Sequence, residues 1–284
     1  MKLKLNKGFL FLAFISSIIL SESLLAEMKE DTVILTIGAS FTDGRIPIND
    51  DFNSPLGGIA ISAGKYLSLH QALIRQKSLS GYVINEAQAG ATTFNRLGCN
   101  PGPDCGPGFW FGYENQLNRA LMRVAVPDPS QPSGVKYNAS YVVITIANDC
   151  LHSDAFGIPQ DQAQPCDTSQ LNAYIDRLIA VGQTALNKGI TPIYDIMPAW
   201  EDIDLSTTAA LFGLHWIMNE QQYNELRDLH YNRLSSELPE AEVLNIWEGF
   251  HPLPDGLHPT DKTTQKAARR IANYIRFHNS GVSE

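Results

Sequence analysis

The chain has 284 residues, 44% of them hydrophobic and 18% charged, with 30 acidic side chains against 21 basic ones and a formal charge of -9. That length suits one large domain and could just hold two, and the acidic balance argues against nucleic acid or an anionic membrane as the main partner. An acidic surface kept for solubility accounts for the charge equally well.

Residues 1–7 carry three lysines, residues 8–20 are apolar, and Ser21-Glu-Ser-Leu-Leu-Ala26 precedes an acidic, polar stretch. A basic head, a short apolar body and a small-residue exit read as a signal peptide cut after Ala26. The apolar body is shorter than the ~20 residues a membrane-spanning helix needs, and no cysteine stands at the cut for a lipid anchor. The expected mature chain, residues 27–284, is a single domain with 18 basic and 29 acidic side chains, exported to the periplasm or secreted, with no stable membrane insertion after cleavage.

The first predicted strand, 32–37, runs straight into Gly38-Ala-Ser40-Phe-Thr-Asp-Gly44. A serine framed by glycines at a strand exit can present its hydroxyl at the edge where open α/β sheets bind ligands, although an isolated Gly-x-Ser is more often a turn that caps the next helix. Helical spacing follows over 59–74, then a strand over 82–85 that opens into Asn85-Glu-Ala-Gln-Ala-Gly90. Residues 97–112 hold too much Gly and Pro for helix or strand. Their aromatic run from Phe109 to Tyr113 is expected to pack against the next helix, 114–124, with a wall near the site as the alternative. The proline-rich stretch 126–138 reads as a surface connection.

A third strand over 141–146 leads to Ala147-Asn148-Asp149, where Asp149 is expected to be a solvated or capping carboxylate, with orientation of the loop as the alternative. A helix over 169–187, with Thr168 or Ser169 as its cap, ends at Asn187-Lys-Gly189. The remaining elements are a strand over 190–196, a lid or pocket wall within 197–218, a helix over 220–238, a strand over 242–246 and a helix over 260–278. Between these last two lies Asp255-Gly-Leu-His258-Pro259. Five nearly continuous apolar strands alternating with helices indicate an α/β sandwich around a parallel sheet. Cys99, Cys105, Cys150 and Cys166 in an exported chain are expected to be bridged, with 99 to 105 and 150 to 166 favoured among three connectivities.

The strand exits thus gather a serine, a glycine whose main chain can approach a substrate closely, an amide and an Asp/His pair, which are the parts acyl transfer needs. His251 is the nearest rival base but lacks an acid at a turn-compatible spacing. No Gly-x-Ser-x-Gly elbow, dinucleotide fingerprint or phosphate loop occurs.

The arrangement resembles the SGNH hydrolases, the GDSL-type esterases and lipases. Ser40 matches the first block, Gly90 the second, Asn148 the third and Asp255 with His258 the last, in the family's order and across the mature chain. Two positions depart from the pattern: Ala39 stands where the family has Asp, and Ile146 where it has Gly. The resemblance implies a three-layer α/β/α fold with a five-stranded parallel sheet, no metal and no cofactor. It further implies Ser40 as nucleophile, His258 as base, Asp255 as its orienting acid, and an oxyanion hole of the Ser40 N–H, the Gly90 N–H and the Asn148 side-chain amide. The expected activity is hydrolysis of oxygen esters, with carbohydrate acetyl or other short esters favoured. Lipase, lysophospholipase and acyltransferase activity are alternatives from the same residues, and a non-catalytic glycan- or lipid-binding protein is the alternative of another class.

Overall fold

The computed structural model describes residues 32–43, 67–97, 109–151, 166–212 and 216–279. In chain order, β1 (Thr32–Ile37) runs into a single helical turn, α1 (Ser40–Asp43), and α2 (Leu69–Ile74) leads to β2 (Gly81–Asn85). β3 (Arg96–Leu97) and β4 (Phe109–Trp110) pair antiparallel ahead of α3 (Tyr113–Val124), and β5 (Ala125–Pro127) pairs with β6 (Val135–Tyr137). β7 (Tyr141–Ile144), α4 (Thr168–Leu186), β8 (Thr191–Asp195), α5 (Leu205–Phe212), α6 (Glu220–Glu237), β9 (Glu242–Leu244) and α7 (Asp261–Asn279) follow.

β1, β2, β7, β8 and β9 form one parallel sheet in the order β2-β1-β7-β8-β9, with helices on both faces. Side chains alternate across a strand, so each central strand feeds two cores. Val33, Leu35 and Ile37 of β1 with Val142 and Ile144 of β7 pack under α3, α4 and α6, while Ile34 and Val143 turn to the opposite face against α2 and α7. This two-sided burial is why the strands read as unbroken apolar runs. The chain leaves β1 in one direction along the sheet to reach β2 and in the other to reach β7. Such a reversal opens a crevice at the strands' carboxyl ends.

Several local expectations are corrected. β7, β8 and β9 end one to two residues earlier than their apolar runs: beyond them Ile146 lines the crevice, Ile196 keeps a main-chain bond to the Leu244 carbonyl at 3.0 Å, and Ile246 packs into the core with α7. Residues 96–97 and 109–110 make a short ladder despite the flanking glycines and prolines, and the 126–138 connection is closed by the β5–β6 pair. The α4 cap is Asp167, whose carboxylate accepts from the Gln170 N–H at 2.8 Å while the Gln170 side chain accepts from the Asp167 N–H at 2.9 Å. Such a reciprocal capping box satisfies two orphan helix donors at once, which neither Thr168 nor Ser169 could do from inside the helix. Of the span 59–74 expected as one helix, residues 67–74 are described, and the helix there begins only at Leu69, with Ser68 in extended conformation as its cap. The leader and the Cys99–Cys105 pairing lie outside the described residues. Among the described residues, no helix is long and apolar enough to cross a membrane.

Candidate active site

Ser40 sits three residues past β1, at the start of α1, and is 6% exposed. Its approach is fixed by Gly38, whose φ of 154° is open to glycine and where a Cβ would fall 2.1 Å from Thr145 Oγ1. Gln116, fully buried on α3, holds the Gly38 peptide from both sides: its Oε1 accepts from the Gly38 N–H at 2.8 Å, and its Nε2 donates to the Gly38 carbonyl at 3.2 Å. Thr42 and Thr145 bring their hydroxyls within 2.7 Å, tying α1 to the exit of β7.

The turn after β9 supplies the other two groups. His258 Nε2 lies 2.9 Å from Ser40 Oγ, and His258 Nδ1 lies 2.8 Å from Asp255 Oδ2. Asp255 Oδ1 accepts from the Leu257 and His258 N–H groups, both at 2.9 Å. In a strand, residues three apart face opposite ways. Here Gly256, at φ 80°, bends the chain so that both side chains converge. A Cβ at Gly256 would meet the Asp204 carbonyl at 2.2 Å. Burial pushes the Asp255 carboxyl up, but the His258 ring and the two amides outweigh it and hold the group below its ordinary range. The neutral ring can then donate from Nδ1 to Asp255 and accept at Nε2 from the serine. Phe41 lies edge-on to the His258 ring at 5.9 Å and is itself packed by Trp247 and Phe250.

Asn148 uses both its main-chain N–H, at 3.2 Å, and its side-chain Nδ2, at 3.0 Å, to grip the Ala91 carbonyl. That contact seats the third strand exit against the second, next to Gly90 at φ 80°. An amide nitrogen carries two protons, so this bond leaves one Nδ2 proton for another acceptor. Ser40 and Asn148 line one cavity. Gly90 is not among the residues that line it, and adjoins Asn148 through its neighbour Ala91.

The expectation for Asp149 is corrected. It is fully buried, accepting from the Thr93 N–H at 2.7 Å, from the Thr93 hydroxyl at 2.5 Å and from Arg177 Nη2 at 3.1 Å. Arg177 Nε, from α4, also donates to the Thr93 hydroxyl at 2.6 Å. Burial raises the Asp149 carboxyl even against these partners. The Cys150–Cys166 disulfide follows immediately and ties this exit to the start of α4. In the aromatic run, the Trp110 indole donates to the Ala89 carbonyl at 2.7 Å and the Phe111 N–H to Gln88 Oε1 at 3.0 Å, so the run buttresses the Gly90 loop. His251 is exposed on the surface. Gln116, Thr208 and Arg177 escaped sequence reasoning, since only their contacts across the fold mark them. Among the described residues, no group of three or more His, Cys, Asp or Glu gathers as metal ligands.

A family model of GDSL-like lipases and acylhydrolases matches residues 34–271. Among solved structures, a carbohydrate acetylesterase family member from Sinorhizobium meliloti is similar at 16% identity with a TM-score of 0.52, over 87% of this chain and 98% of its own. A psychrotrophic esterase from Pseudoalteromonas sp. aligns at 12% identity with a TM-score of 0.46, over 88% of this chain and 100% of its own. At such identities the likeness speaks to the fold. No curated protein matches the sequence.

Proposed function

The chain belongs to the GDSL-like lipase and acylhydrolase family and is thereby an ester hydrolase, and on that premise we propose that it works through an acyl-serine intermediate formed on Ser40. The observation that carries this reading is the unbroken relay from Asp255 Oδ2 to His258 Nδ1 at 2.8 Å and from His258 Nε2 to Ser40 Oγ at 2.9 Å. Both distances are within reach for proton transfer.

Ser40 Oγ bonds to the ester carbonyl carbon while its proton passes to His258 Nε2. Asp255 fixes the ring tautomer and stabilises the imidazolium. The carbon–oxygen bond to the alcohol then breaks, and the alcohol leaves with the His258 proton. A water gives its proton to His258, its oxygen bonds to the acyl carbon, and the carboxylic acid departs as Ser40 regains its proton. The Ser40 N–H, the Gly90 N–H and the Asn148 side-chain amide stabilise the oxyanion in both halves; losing one such donor costs about 3 kcal/mol of barrier.

The substrate is a short ester, with acetyl groups on carbohydrate the favoured class. The small cavity beside Ser40 supports this, as does the fold shared with the Sinorhizobium meliloti protein. Acyl transfer to another alcohol would replace only the water. The chain is exported: the leader pattern of residues 1–26 supports this, and so does the Cys150–Cys166 disulfide, since such bonds persist in oxidising compartments.

The test is hydrolysis of p-nitrophenyl acetate by residues 27–284 beside Ser40→Ala. Turnover by the first and a loss of several orders of magnitude in the second is the expected result. Equal rates in the two proteins would reject the mechanism, and no turnover in either would favour a glycan- or lipid-binding role.

A further inference from the structure

The cavity beside Ser40 has a volume of about 30 Å³. The space is that of a small group. Ile146, Leu205, Ile217, Tyr223 and Leu257 are among the residues that line it. Besides that of Ser40, the hydroxyls on its walls are already committed: Tyr223 donates to the Pro198 carbonyl at 2.9 Å, and Thr208 donates to the Asp255 carbonyl at 2.8 Å. A sugar entering this space would lose its water contacts and find those donors engaged, which is costly. A short alkyl chain would lose nothing.

The two sides of Ser40 differ in a way that orients the ester. Asn148 lines the cavity and His258 does not. The alcohol must leave beside the proton on His258, so it lies on the imidazole side, and the acyl group takes the Asn148 side. Ile146 stands on that side, two residues before Asn148 and 7% exposed, where the family pattern has glycine. Its four side-chain carbons fill space that a glycine would leave to the substrate.

From this geometry we propose that Ile146 is the residue that limits the acyl group to two or three carbons. This rests on the esterase reading given under Proposed function and deepens it to a substrate class: acetyl and propionyl esters. A Leu or Phe at 146 would close the cavity further, whereas Ala opens it. The limit is steric and apolar, so it acts on chain length and leaves the alcohol free to vary.

The experiment measures kcat/KM of residues 27–284 for p-nitrophenyl acetate, propionate, butyrate and hexanoate, then repeats it with Ile146→Ala and with Ile217→Ala. Ile217 is half-buried, so its replacement tests the same cavity where Ile146→Ala fails to fold. One or two misfitting methylenes in an apolar pocket change specificity by about tenfold or more. The wild-type protein is expected to prefer acetate over hexanoate by at least that factor, and opening the wall to raise the hexanoate-to-acetate ratio by about tenfold. A wild-type protein that cleaves hexanoate as fast as acetate while Ser40→Ala is inactive would overturn the limit and leave the esterase reading standing. A ratio unmoved in every folded variant would do the same. Absence of Ser40-dependent cleavage of all four esters, with no adduct on Ser40 from a fluorophosphonate by intact mass, would remove both.

Discussion

The Thr208 hydroxyl donates at 2.8 Å to the main-chain carbonyl of Asp255, 47 residues further along the chain. Asp204, four residues before it, donates its N–H to the Gly256 carbonyl at 2.7 Å. The start of α5 therefore straps the turn that carries Asp255 and His258. Thr208→Val keeps the shape, removes the donor and leaves a buried carbonyl unpaired, at a cost of about 1–3 kcal/mol. Denaturant melts should show that loss. Because a small displacement of a reacting group is expensive, kcat should fall by about tenfold with KM nearly constant, and Thr208→Ser should restore it. A stability loss with kcat untouched would make the strap purely architectural.

Arg177 and Thr93 brace the carboxylate next to Asn148. Arg177→Met leaves Asp149 buried without its cation. Removing one partner of a buried pair costs about 3–5 kcal/mol, and the figure here should be lower because the Arg177 side chain is 35% exposed. If the brace aims Asn148, kcat drops as well, and Asp149→Asn, which keeps the shape, drops it less. Steady-state kinetics on folded protein separate this from simple destabilisation.

Asp195 and His230 set opposing pH dependences. Burial raises the Asp195 carboxyl to about 7, with the Trp247 indole donating to it at 2.8 Å, and burial lowers the His230 ring to about 4. Between pH 4 and 7 the folded state binds more protons at Asp195 than the unfolded chain does, so that group makes stability fall as pH rises. Between pH 4 and 6.5 the unfolded chain binds more protons at His230, which makes stability rise with pH. The two nearly cancel across that window in the parent protein. Asp195→Asn should expose a rise in Tm from pH 4 to 6.5, and His230→Gln a fall. Parallel profiles in all three proteins would refute the assignment.

The Cys150–Cys166 disulfide closes a loop with a sequence separation of 16. Constraining a loop of that size is worth about 3 kcal/mol. Replacing both cysteines with alanine should lower stability by up to that amount, read by chemical denaturation. As Cys150 lies two residues past Asn148, kcat should fall too, and a reductant should mimic the variant on the parent protein while leaving the variant unchanged.

How legible these features were in the sequence depends on how local their causes are. The exit of β1 could be read because Val33 to Ile37 is buried on both faces of the sheet and Gly38 follows. The four strand exits could be placed on one edge because a parallel sheet puts them there. The strand ends at Ile144, Asp195 and Leu244 could not, since the residues beyond them stay apolar for other reasons, Ile146 lining the crevice and Ile246 packing in the core. Asp149 read as solvated because nothing near it in sequence announces Arg177, 28 residues on, or Thr93, 56 residues back. Gln116 was silent for the same reason, its partner Gly38 being 78 residues away.

Ser40 and His258 are 218 residues apart along the chain and 2.9 Å apart in space. On the proposed roles, neither segment is competent alone: the sheet must assemble before hydroxyl and imidazole meet, so turnover reports on tertiary folding and not on any local element.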